Sequence, residues 1–188
     1  MDNQISILGF AGSLRKGSYN RALLRAAMEL LPKDAKLEIF ELEGIPPFNQ
    51  DLENNPPQKV KDFKAKIRAA DALLIATPEY NYSISGVLKN AIDAASRPFG
   101  DNPFDGKPVA ILSAGIGPFG AAKAQYHLRQ VCVTLNMHPL NRPEFFLTNA
   151  QEKFDDKGKL KDQQTREILK IVLQYLVDWT RKLKGNTE

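Results

Sequence analysis

Short apolar runs of strand length alternate with amphipathic segments of helical period along nearly all of this 188-residue chain. Residues 5–10 are the first apolar run, and 21–31 carry apolar positions at helical spacing up to Pro32. Residues 36–42 alternate like a strand with one wetter face, and 44–57, with Pro46, Pro47, Pro56 and Pro57, form a loop. Helical period returns over 58–70, where Val60, Phe63 and Ile67 share a side. A third strand follows at 71–77, a helix at about 85–95, a fourth strand at 109–112 and a helix at 121–135. A short final strand within 144–147 precedes a closing helix over roughly 162–183. The pattern predicts an α/β fold: a doubly wound, five-stranded parallel sheet of order 2-1-3-4-5, with right-handed crossovers and helices on both faces. A chain of this length suits one domain, taken as residues 1–188.

Sheets of this kind bind ligands beyond the carboxyl ends of their strands, where the strand order reverses. The loop after the first strand, Gly12-Ser13-Leu14-Arg15-Lys16-Gly17-Ser18-Tyr19-Asn20, is small, polar and cationic and leads straight into a helix. A helix N-terminus offers unpaired N–H groups and a favourable dipole to an anion. Ser13, Ser18 and Asn20 add hydrogen-bonding groups, and Arg15 adds a planar charged fork suited to phosphate. Two common phosphate loops are excluded. A Walker loop needs Lys where Ser18 stands, and Gly9, Gly12 and Gly17 do not make G-x-G-x-x-G, which favours a mononucleotide. The same residues also suit a plain strand-to-helix connection with Ser18 as N-cap, although a turn requires neither Arg15 nor Asn20.

The loop after the third strand holds Pro78, Glu79, Tyr80, Asn81, Tyr82, Ser83 and Ser85. A flat heteroaromatic ring needs a π-rich wall and polar groups along its edge, and this loop has both. The tyrosines equally suit loop anchors, and Ser83 or Ser85 a helix cap. Glu79 lacks a sequence-fixed carboxylate or His partner, so hydrogen bonding competes with a role as general base. The loop after the fourth strand, residues 113–120, contributes Ser113 and Gly115 as candidates, and Gly115 and Gly117 let backbone approach a ligand closely.

Three segments resemble the NADPH-dependent FMN reductase family, in its chromate and quinone reductase branch: GSLRKGSYN, PEYNYSISGVLKNAIDAASRP and SAGIGPFGAAKAQYHLRQV. The likeness runs over roughly residues 5–146 and implies a flavodoxin-like fold, non-covalent FMN, and NAD(P)H as co-substrate. It implies that Ser13, Arg15, Ser18 and Asn20 grip the FMN phosphate. Pro78, Glu79, Tyr80, Asn81 and Ser83 then lie against the isoalloxazine and ribityl chain. The chain departs from the family where Ser85 replaces a common Pro and Ala94 a common aromatic. Its third loop is also poorer in consecutive glycines. The expected acceptors are quinones and related small molecules: azo dyes, chromate or free flavin. The alternative is a flavodoxin-like electron carrier that exchanges single electrons with protein partners and never binds nicotinamide. Such carriers are often acidic, whereas this chain has a net charge of +4.

The remaining composition excludes more than it assigns. Cys132 is the only cysteine and sits between Val131 and Val133, as a packed thiol would. Two histidines, His127 and His138, make no zinc or facial-triad pattern. The lysines scatter over solvated faces without an aromatic-interleaved stripe, which argues against nucleic acid. No apolar run is long enough to span a bilayer, and Met1-Asp2-Asn3-Gln4 lacks a basic region with a long apolar stretch after it, so a cytoplasmic protein without membrane insertion is expected. The helix at 121–135, with Tyr126, His127 and Arg129, together with Glu144, suits contact between copies in a homodimer or homotetramer.

Overall fold

The computed structural model describes residues 4–185; residues 1–3 of the polar N-terminal stretch lie outside them. In chain order the elements are β1 (Ile5–Ala11), α1 (Tyr19–Leu30), β2 (Ala35–Ile39), α2 (Gln58–Ala69), β3 (Ala72–Thr77) and α3 (Gly86–Ala95). They continue with β4 (Pro108–Ala114), α4 (Ala122–Thr134), β5 (His138–Pro139), β6 (Phe145–Leu147), α5 (Ala150–Lys153) and α6 (Gln163–Gly185). The sheet is parallel throughout, in the order β2-β1-β3-β4-β5. This is the doubly wound order expected, with the fifth position divided. β5 pairs with the start of β4, Pro108 opposite His138, while β6 pairs with its end, Leu112 opposite Phe145. β5 escapes a periodicity search because two residues, one of them Pro, carry no alternation.

The strands sort their side chains by parity. Ile7, Leu74 and Leu112 pack on one face against Leu23 and Leu24 of α1 and Leu173 and Leu176 of α6. Leu8, Phe10, Leu73 and Ile75 pack on the other face against Phe63 and Ile67 of α2, Leu88 and Ile92 of α3, and Leu128 of α4. Burial on both faces explains why β1, β3 and β4 read as unbroken apolar runs. The edge strand β2 alternates, with Ala35 and Leu37 inside and Lys36 and Glu38 outside. It ends at Ile39 rather than Leu42. Phe40 N still donates to Gly9 O at 2.8 Å, and Leu42 is buried, so the apolar pattern outlasts the strand.

Helix starts follow local capping chemistry. Ser18 caps α1 and Ser85 caps α3, each hydroxyl accepting a backbone N–H one turn on, from Arg21 and Leu88. The proline-rich 44–57 loop contains a short 3₁₀ turn, Gln50–Leu52, and is tied to α3 through Asn90. Asn90 Oδ1 accepts from Phe48 N at 2.7 Å and its Nδ2 donates to Pro46 O at 2.9 Å. Cys132 is fully buried in α4, and desolvation pushes its thiol up to about 12. Among the described residues no helix is long and apolar enough to cross a membrane, and no three metal-binding side chains cluster.

Candidate active site

The loops leaving β1, β3 and β4 meet at one end of the sheet and enclose a cleft of about 370 Å³. That volume lies within the range of small-molecule and cofactor sites. β1 and β3 are adjacent and their crossovers run to opposite sides, so the cleft opens at the reversal of strand order.

Gly12 allows the first two loops to close on each other. A Cβ there would lie 2.9 Å from both Leu88 Cβ and Ser85 Oγ, and 3.2 Å from Pro78 Cδ. Ser85 fastens the same contact by donating its hydroxyl to Gly12 O at 2.6 Å. The third loop depends on Gly120, whose φ is +54° and whose Cβ would sit 2.9 Å from Phe146 C. Only glycine meets both conditions.

Ser13, Arg15 and Ser18 line the end of the cleft beside α1. Ser18 N donates to Arg15 O at 3.0 Å, which closes the loop into a turn just ahead of α1. No acidic residue stands in the first turn of α1, so its dipole remains available to an anion, while the Arg21 N–H is taken by the Ser18 hydroxyl. The exposed Arg15 guanidinium lies 5.6 Å from the centroid of the Tyr19 ring. It is held beside the helix start rather than spent in an ion pair.

Asn20 is at the cleft wall but its carboxamide has other work. Nδ2 donates to Ala114 O at 3.1 Å and Oδ1 accepts from Ala114 N at 3.0 Å, locking α1 to the end of β4. Ser113 does not reach the cleft. Its hydroxyl is fully buried, donates to Gly120 O at 2.5 Å and accepts from Gln125 Nε2 at 2.8 Å. Both residues are expected phosphate or flavin contacts whose hydrogen-bonding groups the backbone and Gln125 absorb instead.

The second loop is a hairpin. Tyr80 and Ser83 exchange two backbone hydrogen bonds of 3.0 Å, and the residues between them, Asn81 and Tyr82, have φ of 50° and 66°. Two left-handed residues in succession make the tight mirror-image turn that Asn favours at its first position. Pro78 and Tyr80 line the cleft, while Asn81 and Ser83 lie beyond its lining. Ser83 Oγ meets His127 Nδ1 of α4 at 2.9 Å. Lys123 Nζ sits 3.5 Å from the Tyr82 ring centroid and 4.9 Å from that of Phe119. Lys123 and His127, four apart on one face of α4, thus clamp the hairpin from the third loop's helix. Their spacing was visible in the sequence, but their partner was not.

Glu79 is the principal anchor of this clamp. Its Oε2 accepts from Lys123 N at 3.0 Å and from Ala124 N at 3.2 Å, donors in the first turn of α4 that have no intrahelical partner. Ala121, the residue preceding that helix, is left-handed and supplies no side-chain cap. Glu79 therefore caps α4 from another loop, and among the described residues no His or carboxylate hydrogen-bonds to it. Gly115 lines the cleft opposite Pro78 and Tyr80, and its own N–H donates to Leu147 O at 3.0 Å. Ile116, Gly117, Gly120 and Ala121 complete that wall, of which Gly115 and Gly117 stood out in the sequence.

The model of the NADPH-dependent FMN reductase family matches residues 5–152. The chain belongs to that family. It is 53% identical over 186 residues to an NAD(P)H-dependent FMN reductase of Pseudomonas aeruginosa, covering 98% of this chain and all of that one. It is 50% identical to an NAD(P)H:quinone oxidoreductase of Solanum tuberosum, covering 98% and 97% of the two chains. Among solved structures it resembles the NAD(P)H:acceptor oxidoreductase FerB of Paracoccus denitrificans, with a TM-score of 0.87, 33% identity, and 95% and 98% coverage. The flavodoxin-like expectation therefore holds for the fold.

Proposed function

We propose that the chain is an FMN-dependent NAD(P)H oxidoreductase that reduces quinones and related small acceptors. The observation that carries this reading is a single cleft with a cationic helix N-terminus at one end and an aromatic hairpin at the other. The residues present fit FMN. Ser13, Arg15, Ser18 and the N–H groups opening α1 suit its phosphate, and Pro78, Tyr80 and the Gly115 backbone suit its ring system. Bound FMN supplies hydride chemistry of its own, accepting a hydride and passing electrons onward.

The protein then has to bind, orient and exclude. The Pro78–Tyr80 wall and the Gly115–Gly117 strip bound a slot in which a nicotinamide or a planar acceptor can be held face-on. Arg15 and the α1 terminus keep the phosphate end fixed while that slot exchanges ligands. Glu79 Oε2 caps α4, so its carboxylate serves first as a structural anchor of the slot. One slot implies alternating occupancy, with NAD(P)⁺ leaving before acceptor enters. Chromate, azo compounds and free flavin are further acceptors that an open slot of this kind admits.

We also propose that residues 1–188 act as one cytoplasmic domain and pair through α4. Tyr126 and Val133 are exposed two turns apart on one face of that helix, and Phe146 packs beside Tyr126 with ring centroids 6.2 Å apart. Light scattering at micromolar concentration should give the mass of a dimer or tetramer, and a monomeric mass would refute the pairing.

The test of function is spectroscopic and kinetic. Purified protein should carry or take up one FMN, and NADPH or NADH alone under anaerobic conditions should bleach it before any acceptor is added. Initial rates at several quinone concentrations should give parallel double-reciprocal lines. Flavin that stays oxidised under excess NADPH and NADH leaves the electron-carrier reading in place of the reductase.

A further inference from the structure

The two walls of the slot come from different loops, and one side chain touches both loops. Lys123, half-buried in the first turn of α4, sets its Nζ 3.5 Å from the centroid of the Tyr82 ring and 4.9 Å from that of Phe119. Tyr82 belongs to the hairpin that carries the Pro78–Tyr80 wall, and Phe119 to the loop that carries the Gly115–Gly117 strip. The ammonium forms no ion pair among the described residues, so the two rings are what it meets.

The two loops differ in stiffness. The hairpin is closed by its paired Tyr80–Ser83 backbone bonds and is fastened to α4 through Glu79 and through the Ser83–His127 contact. The third loop is looser. Ile116, Gly117, Pro118 and Phe119 are all exposed, and a Cβ at Gly117 would meet nothing within 4 Å. Its backbone is tied by Gly115 N to Leu147 O at 3.0 Å, by Ala122 N to Phe119 O at 3.0 Å, and by a long bond of 3.5 Å from Asn149 N to Gly117 O. Tyr82 and Phe119 are themselves 67% and 64% exposed, so burial does little to hold either ring. Lys123 therefore carries the stiffness of the hairpin across to the third loop.

We propose that Lys123 is a positioning residue that sets the spacing of the slot, and so makes the enzyme select flat acceptors over thick ones. The inference rests on the reductase reading and specifies its acceptor. A cation between two aromatic rings attracts both through their quadrupoles, which draws the loops behind them together. Without the ammonium the third loop is free to move outward while the hairpin stays on α4. A flat quinone fits the closed spacing, whereas an acceptor with groups above and below its ring plane needs the outward movement. Lys123 acts through Tyr82 and Phe119, not by contact with the reacting atoms.

The test uses oxidised, FMN-loaded, full-length protein and two neutral probes in calorimetry: 1,4-naphthoquinone, flat throughout, and 2,6-di-tert-butyl-1,4-benzoquinone, whose butyl groups stand above and below the ring. Wild type should bind the flat probe more tightly. In Lys123→Ala the ratio of the two affinities should fall about five- to thirtyfold, the product of two exposed cation–π contacts expressed as a binding ratio. Lys123→Gln keeps the side-chain length without the charge and should shift the same way. Lys123→Arg, whose guanidinium also stacks on rings, should hold the wild-type ratio within about twofold. Steady-state rates should carry the same signature, with KM for the flat quinone raised in the Ala and Gln variants and kcat little changed. Glu79 bonds the backbone N–H of Lys123, so the cap of α4 survives each substitution, and melts and FMN affinity should stay close to wild type. An unchanged ratio in both the Ala and the Gln variants overturns the proposal, as does an Arg variant that behaves like the Ala variant. An equal shift in His127→Ala also overturns it, because that change loosens the hairpin without reaching Phe119. Calorimetry on oxidised protein needs no turnover, so flavin that NADPH fails to bleach counts against the reductase reading alone.

Discussion

Removing the Glu79 carboxylate separates a structural role from a chemical one. Its two hydrogen bonds, 3.0 and 3.2 Å long, satisfy N–H groups of a helix that has no cap of its own. Loss of a side-chain N-cap costs about 0.5–2 kcal/mol. Loss of a negative charge at the positive end of a helix adds about 0.3–1 kcal/mol. Glu79→Ala should therefore destabilise the protein by about 1–3 kcal/mol, which for a chain of this size lowers Tm by roughly 3–9 °C. Glu79→Gln keeps a carbonyl acceptor in place and gives up chiefly the charge, so its loss should be only about 0.3–1 kcal/mol. Thermal unfolding followed by circular dichroism reads these differences, and anaerobic stopped-flow reads flavin reduction in the same variants. The Gln variant should reduce flavin at close to the wild-type rate. An Ala variant as stable as wild type refutes the capping argument. A Gln variant that is folded and loaded with FMN yet loses its reduction step makes Glu79 a proton-transfer group.

Three further outcomes follow from neighbouring features. Arg15→Ala should weaken FMN binding by about 1.5–3 kcal/mol, the range for hydrogen bonds to charged groups, and unchanged affinity in calorimetry removes Arg15 from the phosphate site. Gly12→Ala forces apart Leu88, Ser85 and Pro78, so it should cost about 1–3 kcal/mol of stability and loosen FMN, whereas an unaltered melt and affinity show that the loops do not close there. Asp162 opens α6, its Oδ2 accepting from Thr165 N and Thr165 Oγ1 and its Oδ1 from Lys153, and these bonds lower its carboxyl to about 2. Its contribution is complete above the unfolded carboxylate range and disappears as pH falls through that range toward 2. Asp162→Asn should therefore narrow the stability gap from wild type in melts between pH 4 and pH 2, and a gap independent of pH rules the ion out.

The sheet order and the place of the cleft were legible because burial on both faces leaves unbroken apolar runs and because polar, glycine-bearing loops follow β1, β3 and β4. Ser18 was legible as the cap of α1, since a cap acts through local backbone, and so was the place of Arg15 in the cleft lining. Asn20, Ser113 and Glu79 were harder. Each is a polar side chain in a suggestive loop, but its partner lies far along the chain: Ala114 for Asn20, Gln125 for Ser113 and the start of α4 for Glu79. Loop composition identifies a hydrogen-bonding group without saying whether backbone or ligand will satisfy it. The divided fifth strand was hidden for another reason, because β5 and β6 are too short for a period to register.

Two helices begin at the cleft, and they present unlike ends to whatever enters it. α1 meets the cleft with no acid in its first turn, whereas the start of α4 is already neutralised by Glu79. The recess therefore has a direction, more attractive to negative charge at the Arg15 end than at the Tyr80 end, where the Glu79 carboxylate offsets the Lys123 ammonium beside the hairpin. A ligand with one anionic terminus and one flat, neutral terminus is sorted by that gradient before any close contact forms. Reversed entry would set a phosphate against aromatic rings and a spent helix end, while a wide ring faced unpaired N–H groups. Glu79 thus acts on orientation through the helix it caps, by removing the second place where a phosphate would be welcome.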